Sequence, residues 1–223
     1  KREFGVMVAV GMGKKKLVLG ATGFIGSAIM RALLQDGEAV KVLLRQASDT
    51  RNIDGYDVEK VYGDMLDGNS IRQALEGCDT LYLCSAYFAH WAPDPKKPYE
   101  VNVIGTRTTL QAALEAGVDR VVYTSTNNTI GPHGLPPVNE EALFNQWDIE
   151  DHYSRSKFLA EIEAYKAGAR GLPVVVVNPT FVIGPYDVKP TPSGHMLIDV
   201  ASGREELYMD GMTNVVDVED VAR

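Results

Sequence analysis

Short apolar strand patterns alternate with helical patterns along most of the chain, and this alternation restricts the possible folds more than any other feature. Strand patterns rich in apolar residues cover 17–20, 40–44, 58–62, 80–84, 120–124 and 174–178. The helical patterns between them cover 24–35, 70–76, 99–116 and 153–169. Strands that are apolar on both faces need helices on both faces. With right-handed crossovers, the order predicts an α/β fold with a doubly wound parallel sheet.

Composition excludes several classes of protein. The chain has 223 residues, enough for one large domain, and its two cysteines, Cys78 and Cys84, cannot supply a disulfide framework. We therefore expect a reducing compartment, the cytoplasm. The net charge of −8 and the lack of a basic face argue against nucleic acid as a partner. No apolar stretch approaches the roughly 20 residues that a membrane span requires, so we expect no span.

A glycine-rich loop lies between the first strand and the first helix. Gly20 permits a sharp turn, Gly23 leaves room for a phosphate beside the backbone, and Gly26 lets helix and strand pack closely. The N-terminus of the helix supplies N–H donors and a positive dipole. This context predicts a Rossmann dinucleotide-binding site. Its cofactor contacts extend over the loop residues Gly20, Thr22, Gly23, Phe24, Ile25 and Gly26.

The end of the second strand indicates which dinucleotide is bound. An acidic residue there would bind the 2′-hydroxyl of the adenosine ribose, but the strand ends in Arg45, which suits a 2′-phosphate. We therefore expect NADP(H) in preference to NAD(H), with NAD left open. After the third strand, Asp64 is placed to accept a hydrogen bond from the adenine amino group, with Met65 covering the ring.

A tyrosine and a lysine lie one turn apart on a predicted helix. Tyr153 and Lys157 project from the same face at i and i+4. An ammonium beside a phenol favours the phenolate and lowers its pKa from about 10 toward neutrality. Such a phenol can exchange the proton that accompanies hydride transfer at a carbonyl or an alcohol. The strand ending in Ser125 and Thr126 supplies hydroxyls that can polarise the substrate oxygen.

These motifs resemble those of the extended short-chain dehydrogenase/reductase family, with its Gly-x-x-Gly-x-x-Gly loop and Tyr-x-x-x-Lys helix. The resemblance covers Lys15 to Arg223. It implies that Tyr153 is the general acid/base and that Lys157 lowers its pKa and holds the nicotinamide ribose, so both also contact the cofactor. It places the third catalytic partner at Thr126, with Ser125 as the alternative, although serine is commoner than threonine at this position.

The same resemblance extends to residues outside these motifs. It implies cofactor contacts at Ser85, Ala86, Asn102, Thr124 and Pro179, with Asn102 steadying the backbone of the active site and Pro179 against the nicotinamide. Within the family, the chain looks most similar to dihydroflavonol-reductase-like proteins and to the sugar epimerases associated with hopanoid synthesis. Both have a hydrophobic residue followed by Arg at the end of the second strand. A homodimer is also implied.

Together, motifs and resemblance predict an NADP(H)-preferring oxidoreductase that acts on a ketone or secondary alcohol of a small-molecule substrate. One alternative is a nucleotide-sugar epimerase or dehydratase that keeps NAD(P) bound. The other is a non-catalytic NADP-binding sensor or scaffold. No metal site is expected, because His90, His133, His152 and His195 lack ligand spacing.

The chain is expected to divide into three parts. Residues 1–14 are interpreted as a disordered extension or a cloning remnant. Residues 15–183 form the dinucleotide-binding domain with the catalytic helix. Residues 184–223 form a small, incomplete substrate-binding part, which we expect to be truncated because a strand-to-helix pattern stops at Arg223.

Overall fold

The structure, a computed structural model, describes residues 14–89, 93–131, 138–204 and 213–223, so residues 1–13 of the predicted extension lie outside the described residues. Its centre is a six-stranded sheet with the order β3-β2-β1-β4-β5-β6, parallel throughout. The strands are β1 Lys15–Leu19, β2 Val40–Leu44, β3 Glu59–Tyr62, β4 Cys78–Leu83, β5 Arg120–Thr124 and β6 Val174–Val177. The predicted doubly wound fold is confirmed.

Six α-helices are present in the described parts of the chain. They are α1 Phe24–Gln35, α2 Gly68–Leu75, α3 Thr106–Ala116, α4 His152–Ala169, α5 Pro192–Ala201 and α6 Val218–Ala222. Two further strands, β7 Phe181–Ile183 and β8 Val215–Asp217, form a separate parallel pair. The C-terminal pattern of a strand running into a helix is therefore confirmed by β8 and α6. None of the helices among the described residues is long and apolar enough to cross a bilayer.

Alternation along the strands divides the core between the two faces of the sheet. In β1, Leu17 and Leu19 pack with residues of α2, α3 and α4, whereas Val18 packs with residues of α1 on the other face. All three side chains are at most 1% exposed. Because successive strand residues point to opposite faces, the part of a strand that helices cover on both sides is apolar at every position. This is the physical basis of the sequence pattern.

One predicted helix differs in its winding. The segment predicted as a single helix over 99–116 begins as a π-helix, Tyr99–Gly105, and continues as α3. A Cβ atom at Gly105 would lie 2.8 Å from the side chain of Met65. The end of the π-helix therefore packs closely against Met65, which follows β3. The prediction of one regular helix is wrong here, since apolar periodicity does not distinguish a π-helical segment from an α-helix.

The two C-terminal strands and α6 pack beside the glycine-rich loop. Phe24 and Ala28 of α1 form a buried cluster with Val182 of β7 and Val218 of α6. The cluster fixes the C-terminal segment against the helix that starts at the loop. It therefore places residues 181–183 and 215–222 at the same edge of the molecule as the carboxyl ends of the central strands.

Candidate active site

The glycine-rich loop leaves β1 at the point where the strand order reverses, between β2 and β4. Gly20 has φ +90°, and a Cβ there would lie 2.8 Å from the backbone nitrogen of Ser85. A Cβ at Gly26 would lie 2.2 Å from the carbonyl oxygen of Gly20. Both positions therefore require glycine, one for its backbone conformation and both for the close approach.

Gly23 is the N-cap of α1 and is exposed, so no side chain covers the N–H groups of the first helical turn. No acidic residue lies in that turn. An uncapped helix start with its positive dipole suits a pyrophosphate. Thr22 is held in place through its carbonyl oxygen, which accepts a hydrogen bond of 3.1 Å from Nδ2 of the buried Asn52. Phe24 is buried and Ile25 half-buried, so a cofactor at the start of α1 would contact their backbone rather than their side chains.

The predicted adenosine contacts lie beyond the ends of β2 and β3. Arg45 is exposed directly after β2. Asp64 follows β3, and its carboxylate accepts a hydrogen bond of 2.9 Å from the backbone N–H of Leu66. Met65 is only 7% exposed and packs into the core. The structure thus places Arg45 and Asp64 at the carboxyl edge of the sheet and leaves Met65 little surface for a ligand.

Asn102 joins the segment after β4 to α4. Its Oδ1 accepts a hydrogen bond of 2.7 Å from the N–H of Tyr87, and its Nδ2 donates to Tyr87 O at 3.1 Å and to Ser156 Oγ at 2.9 Å. The side chain is 1% exposed. Asn102 therefore fixes the segment that carries the half-buried Ser85 and the exposed Ala86.

The helix α4 brings Tyr153 and Lys157 to the ends of β5 and β6. Asp151 caps the helix by accepting a hydrogen bond of 3.0 Å from the N–H of Tyr153. Tyr153 is 8% exposed, and its ring centroid lies 4.8 Å from that of Phe88. Lys157 is 2% exposed. Its ammonium donates to the carbonyl oxygen of Thr124 at 2.8 Å.

The two candidate hydroxyls at the end of β5 have different partners. Thr126 is hydrogen-bonded to Tyr153. Ser125 instead donates a hydrogen bond of 2.5 Å to Oε2 of Glu161. Successive residues of an extended segment point in opposite directions, so only one of the two can face the tyrosine. The structure brings Thr126, Tyr153 and Lys157 together, and Pro179 lies beside them, since its carbonyl accepts from Asn127 N–H at 3.0 Å.

Comparison with known proteins agrees with this geometry. The sequence profile of the NAD-dependent epimerase/dehydratase family matches residues 16–223. The chain belongs to this family. The family resemblance inferred from the two motifs is therefore confirmed.

Relatives of this epimerase/dehydratase-family protein are named for several different activities. Sterol demethylase protein B of Methylococcus capsulatus is 38% identical over 92% of the chain, and a protein of Synechocystis sp. provisionally named dihydroflavonol 4-reductase is 36% identical over 92%. The chain spans 62% and 60% of their lengths. Thermus thermophilus UDP-glucose 4-epimerase, solved with NAD, superposes with a TM-score of 0.79 at 27% identity, covering 93% of this chain and 72% of that one.

Electrostatics at the tyrosine differ from the expectation drawn from the motif. Burial raises the pKa of Tyr153 above its usual value, and the charge of Lys157 and the hydrogen bond with Thr126 offset this only in part. Burial likewise lowers the pKa of Lys157, which Tyr153 and Glu161 counteract. The predicted lowering of the phenol pKa is therefore wrong for this structure, because desolvation exceeds the effect of the ammonium.

Two residues in the site of this family member, Phe88 and Glu161, were not identified from the sequence, whereas Tyr123 belongs to the hydroxyl-bearing end of β5 that was expected to polarise the substrate oxygen. Tyr123 accepts a hydrogen bond of 2.9 Å from the ammonium of Lys157. Phe88 contacts the ring of Tyr153. Glu161 accepts the hydrogen bond from Ser125. Of Phe88 and Glu161, only Glu161 had a signal in the sequence, since it continues the i, i+4 spacing of Tyr153 and Lys157 by one further turn.

Other reactive side chains have structural partners. Burial raises the pKa of the Cys84 thiol to about 11, and Thr124 donates to its sulfur at 3.4 Å. His152 Nδ1 lies 3.1 Å from the hydroxyl of Tyr99. His90 and His133 lie outside the described residues. Within the described ranges, no group of three His, Cys, Asp or Glu residues is arranged to hold a metal ion.

Proposed function

We propose that this protein is an NADP(H)-preferring oxidoreductase that transfers hydride to or from a ketone or secondary alcohol, with Tyr153 as the general acid/base. The observation that carries the proposal is the meeting of Tyr153, Thr126 and Lys157 at the carboxyl ends of the strands. The glycine-rich loop opens at the same edge of the same sheet. In doubly wound folds this edge is where nucleotide cofactors bind.

The residues present fit a dinucleotide. Side chains at Gly20 or Gly26 would close the loop, and the uncapped start of α1 presents N–H donors to a pyrophosphate. Arg45 would hold a 2′-phosphate, and Lys157 the nicotinamide ribose. When bound, the nicotinamide supplies or accepts the hydride.

The proton is moved by this chain's own side chains. A protonated Tyr153 donates its hydroxyl proton to the carbonyl oxygen of a ketone in the direction of reduction, and takes it back from the alcohol in the other. Thr126 donates a hydrogen bond to the same oxygen and polarises it. The ammonium of Lys157 stabilises the phenolate that remains after proton transfer.

A second candidate is a nucleotide-sugar epimerase or dehydratase. It is supported by the similarity to Thermus thermophilus UDP-glucose 4-epimerase, which was solved with NAD. The higher identity to the protein provisionally named dihydroflavonol 4-reductase supports the reductase. The two functions differ in cofactor turnover, because a reductase consumes NADPH and an epimerase restores its oxidised cofactor within each cycle.

One experiment separates the candidates. The protein is incubated with NADPH or NADH and a panel of ketones and aldehydes, and in parallel with NADP⁺ or NAD⁺ and UDP-glucose. The absorbance of the reduced nicotinamide is followed, and products are analysed by chromatography. Loss of absorbance with a carbonyl compound supports the reductase. Epimerised or dehydrated sugar without net cofactor consumption supports the alternative. Tight binding of cofactor with no product from any compound would support the sensor. Size-exclusion chromatography with light scattering tests the proposed homodimer.

Cofactor preference gives the first prediction. Arg45→Ala weakens NADPH binding by about 10- to 100-fold, since a charge-assisted contact with a phosphate contributes about 1.5–3 kcal/mol. NADH binding stays within about 3-fold, because NADH lacks the phosphate. Both dissociation constants are measured by nicotinamide fluorescence. The control is Arg51→Ala, which removes an exposed arginine that pairs with Asp49. Equal weakening for the two cofactors would contradict the assignment of Arg45.

A further inference from the structure

Glu161 is a buried carboxylate in the middle of α4. Its residue is 7% exposed, and it lies one helical turn beyond Lys157. Oε2 accepts hydrogen bonds from Ser125 Oγ at 2.5 Å, from Thr129 Oγ1 at 2.7 Å and from Asn178 Nδ2 at 3.0 Å. Oε1 accepts one from the hydroxyl of Tyr165 at 2.7 Å. Burial of a carboxylate costs free energy, which these four hydrogen bonds offset.

The three donors to Oε2 come from three different segments. Ser125 follows β5, Thr129 lies in the 3₁₀ turn Asn127–Thr129, and Asn178 follows β6. A single carboxylate on the helix that carries Tyr153 therefore holds the strand ends opposite that helix. These segments also carry Thr126 and Pro179.

Two of these donors also contact the backbone of Thr126. The Thr129 hydroxyl lies 2.8 Å from the carbonyl oxygen of Thr126, and Asn178 Nδ2 lies 3.2 Å from it. Asn178 also donates to the Thr129 hydroxyl at 2.9 Å. The hydrogen-bond partners of Glu161 thus contact the backbone of Thr126, and the hydroxyl of Thr126 contacts Tyr153. A displacement of this network moves Thr126 relative to the tyrosine.

We propose that Glu161 is a positioning residue for the active site: it fixes Thr126 against Tyr153 by holding Ser125, Thr129 and Asn178. The proposal rests on the proposed function, since it concerns the same Tyr153–Thr126 pair. Glu161 is hydrogen-bonded to Ser125, Thr129 and Asn178, and it acts through these partners. Its negative charge one turn from Lys157 also counteracts the desolvation of the ammonium.

Glu161→Gln tests this role with little change in shape. The amide keeps one acceptor but loses the charge and one acceptor site, so the donors around it no longer all have a partner. We expect kcat to fall about 10- to 100-fold, the range in which small misplacements of catalytic groups act. The dissociation constant of NADPH should stay within about 3-fold, because the loop and α1 are untouched. Rates are measured with the panel compound that reacts fastest.

Glu163→Gln is the matched control. It makes the same change two residues along α4, where the carboxylate accepts hydrogen bonds from Arg107 of α3 at 2.9 Å and from Lys166 at 2.8 Å. Its kcat should equal that of the unmodified protein. A loss of kcat in Glu163→Gln as large as in Glu161→Gln would overturn the proposal, because it would reflect a general effect of the helix.

Coupling to Thr126 separates positioning from a purely structural role. In a Thr126→Ala background, Glu161→Gln should lower kcat by less than about 3-fold, because the hydroxyl that it positions is already absent. If the two losses multiply instead, Glu161 supports the fold in general and the proposal is overturned. If Glu161→Gln does not yield folded protein, Asn178→Ala takes its place, with the same expected dependence on Thr126.

Failure of the proposed function gives a different result. If Thr126→Ala and Tyr153→Phe keep full activity, the proposed function fails, whereas full activity in Glu161→Gln alone overturns only the positioning role. If no panel compound reacts, amide hydrogen exchange of the NADPH-bound protein decides. Faster exchange over residues 124–130 in Glu161→Gln than in Glu163→Gln supports the proposal, and equal exchange overturns it.

Discussion

Replacement of Tyr153 by phenylalanine is expected to lower kcat by about 10³-fold, since a positioned general acid/base contributes about 10²–10⁴-fold. The hydroxyl is the only group removed. The ring keeps its contact with Phe88, so the side chain stays in place. Binding of NADPH should change by less than about 3-fold, because the substitution leaves the start of α1, the proposed pyrophosphate site, unchanged.

The control for this variant is Tyr99→Phe. It removes the hydroxyl of a half-buried tyrosine that contacts His152, in the π-helix packed against α4. Turnover by Tyr99→Phe should match that of the unmodified protein. Unchanged turnover by Tyr153→Phe would remove the tyrosine from the catalytic role and with it the proposed proton transfer.

The second large effect is expected from Gly26→Ala. The added Cβ would lie 2.2 Å from the Gly20 carbonyl oxygen and 2.6 Å from its carbonyl carbon. Backbone atoms cannot move aside as a flexible side chain can, so the loop and α1 must separate. We expect a destabilisation on the order of 1–3 kcal/mol, typical of overpacking. NADPH binding should weaken at least about 100-fold, because the N–H groups of the loop and of the helix no longer converge.

Gly168→Ala provides the comparison for this change. Gly168 lies in the last turn of α4, and a Cβ there meets no atom within 4 Å. Alanine is favoured over glycine in a helix, so this variant should be as stable as the parent or more so. Thermal unfolding without cofactor and nicotinamide fluorescence measure the two effects. Tight NADPH binding by Gly26→Ala would show that the loop does not form the cofactor site.

The parallel sheet could be predicted from the sequence because strands buried on both faces appear there as short apolar runs. The apolar part of β1, residues 17–19, and Val40, Val42 and Leu44 of β2 are at most 3% exposed, because helices cover both faces of these strands. The length of α1 was also predicted, since apolar periodicity and the flanking glycines mark both ends. The number of residues per helical turn cannot be read from the apolar pattern, so the π-helix before α3 was not predicted.

The chemistry of the site was predicted less completely than its position. The spacing of Tyr153 and Lys157 places them on one helix face, but the direction of a pKa shift depends on burial, which spacing does not reveal. Burial reverses the expected shift of the phenol. The partner of Ser125 was equally hidden, because Glu161 and Ser125 lie 36 residues apart and meet only when α4 packs on the sheet.

The central claim is that the hydroxyl of Tyr153 faces the reactive ring of a bound nicotinamide, with Thr126 beside it. A crystal structure of the protein with NADP⁺ tests this most directly, through the distance from the Tyr153 hydroxyl oxygen to C4 of the nicotinamide. We expect about 5 Å or less, which leaves a substrate oxygen within about 3 Å of the hydroxyl. A ring bound more than about 10 Å from Tyr153, too far for one substrate carbonyl to contact both, would contradict the claim.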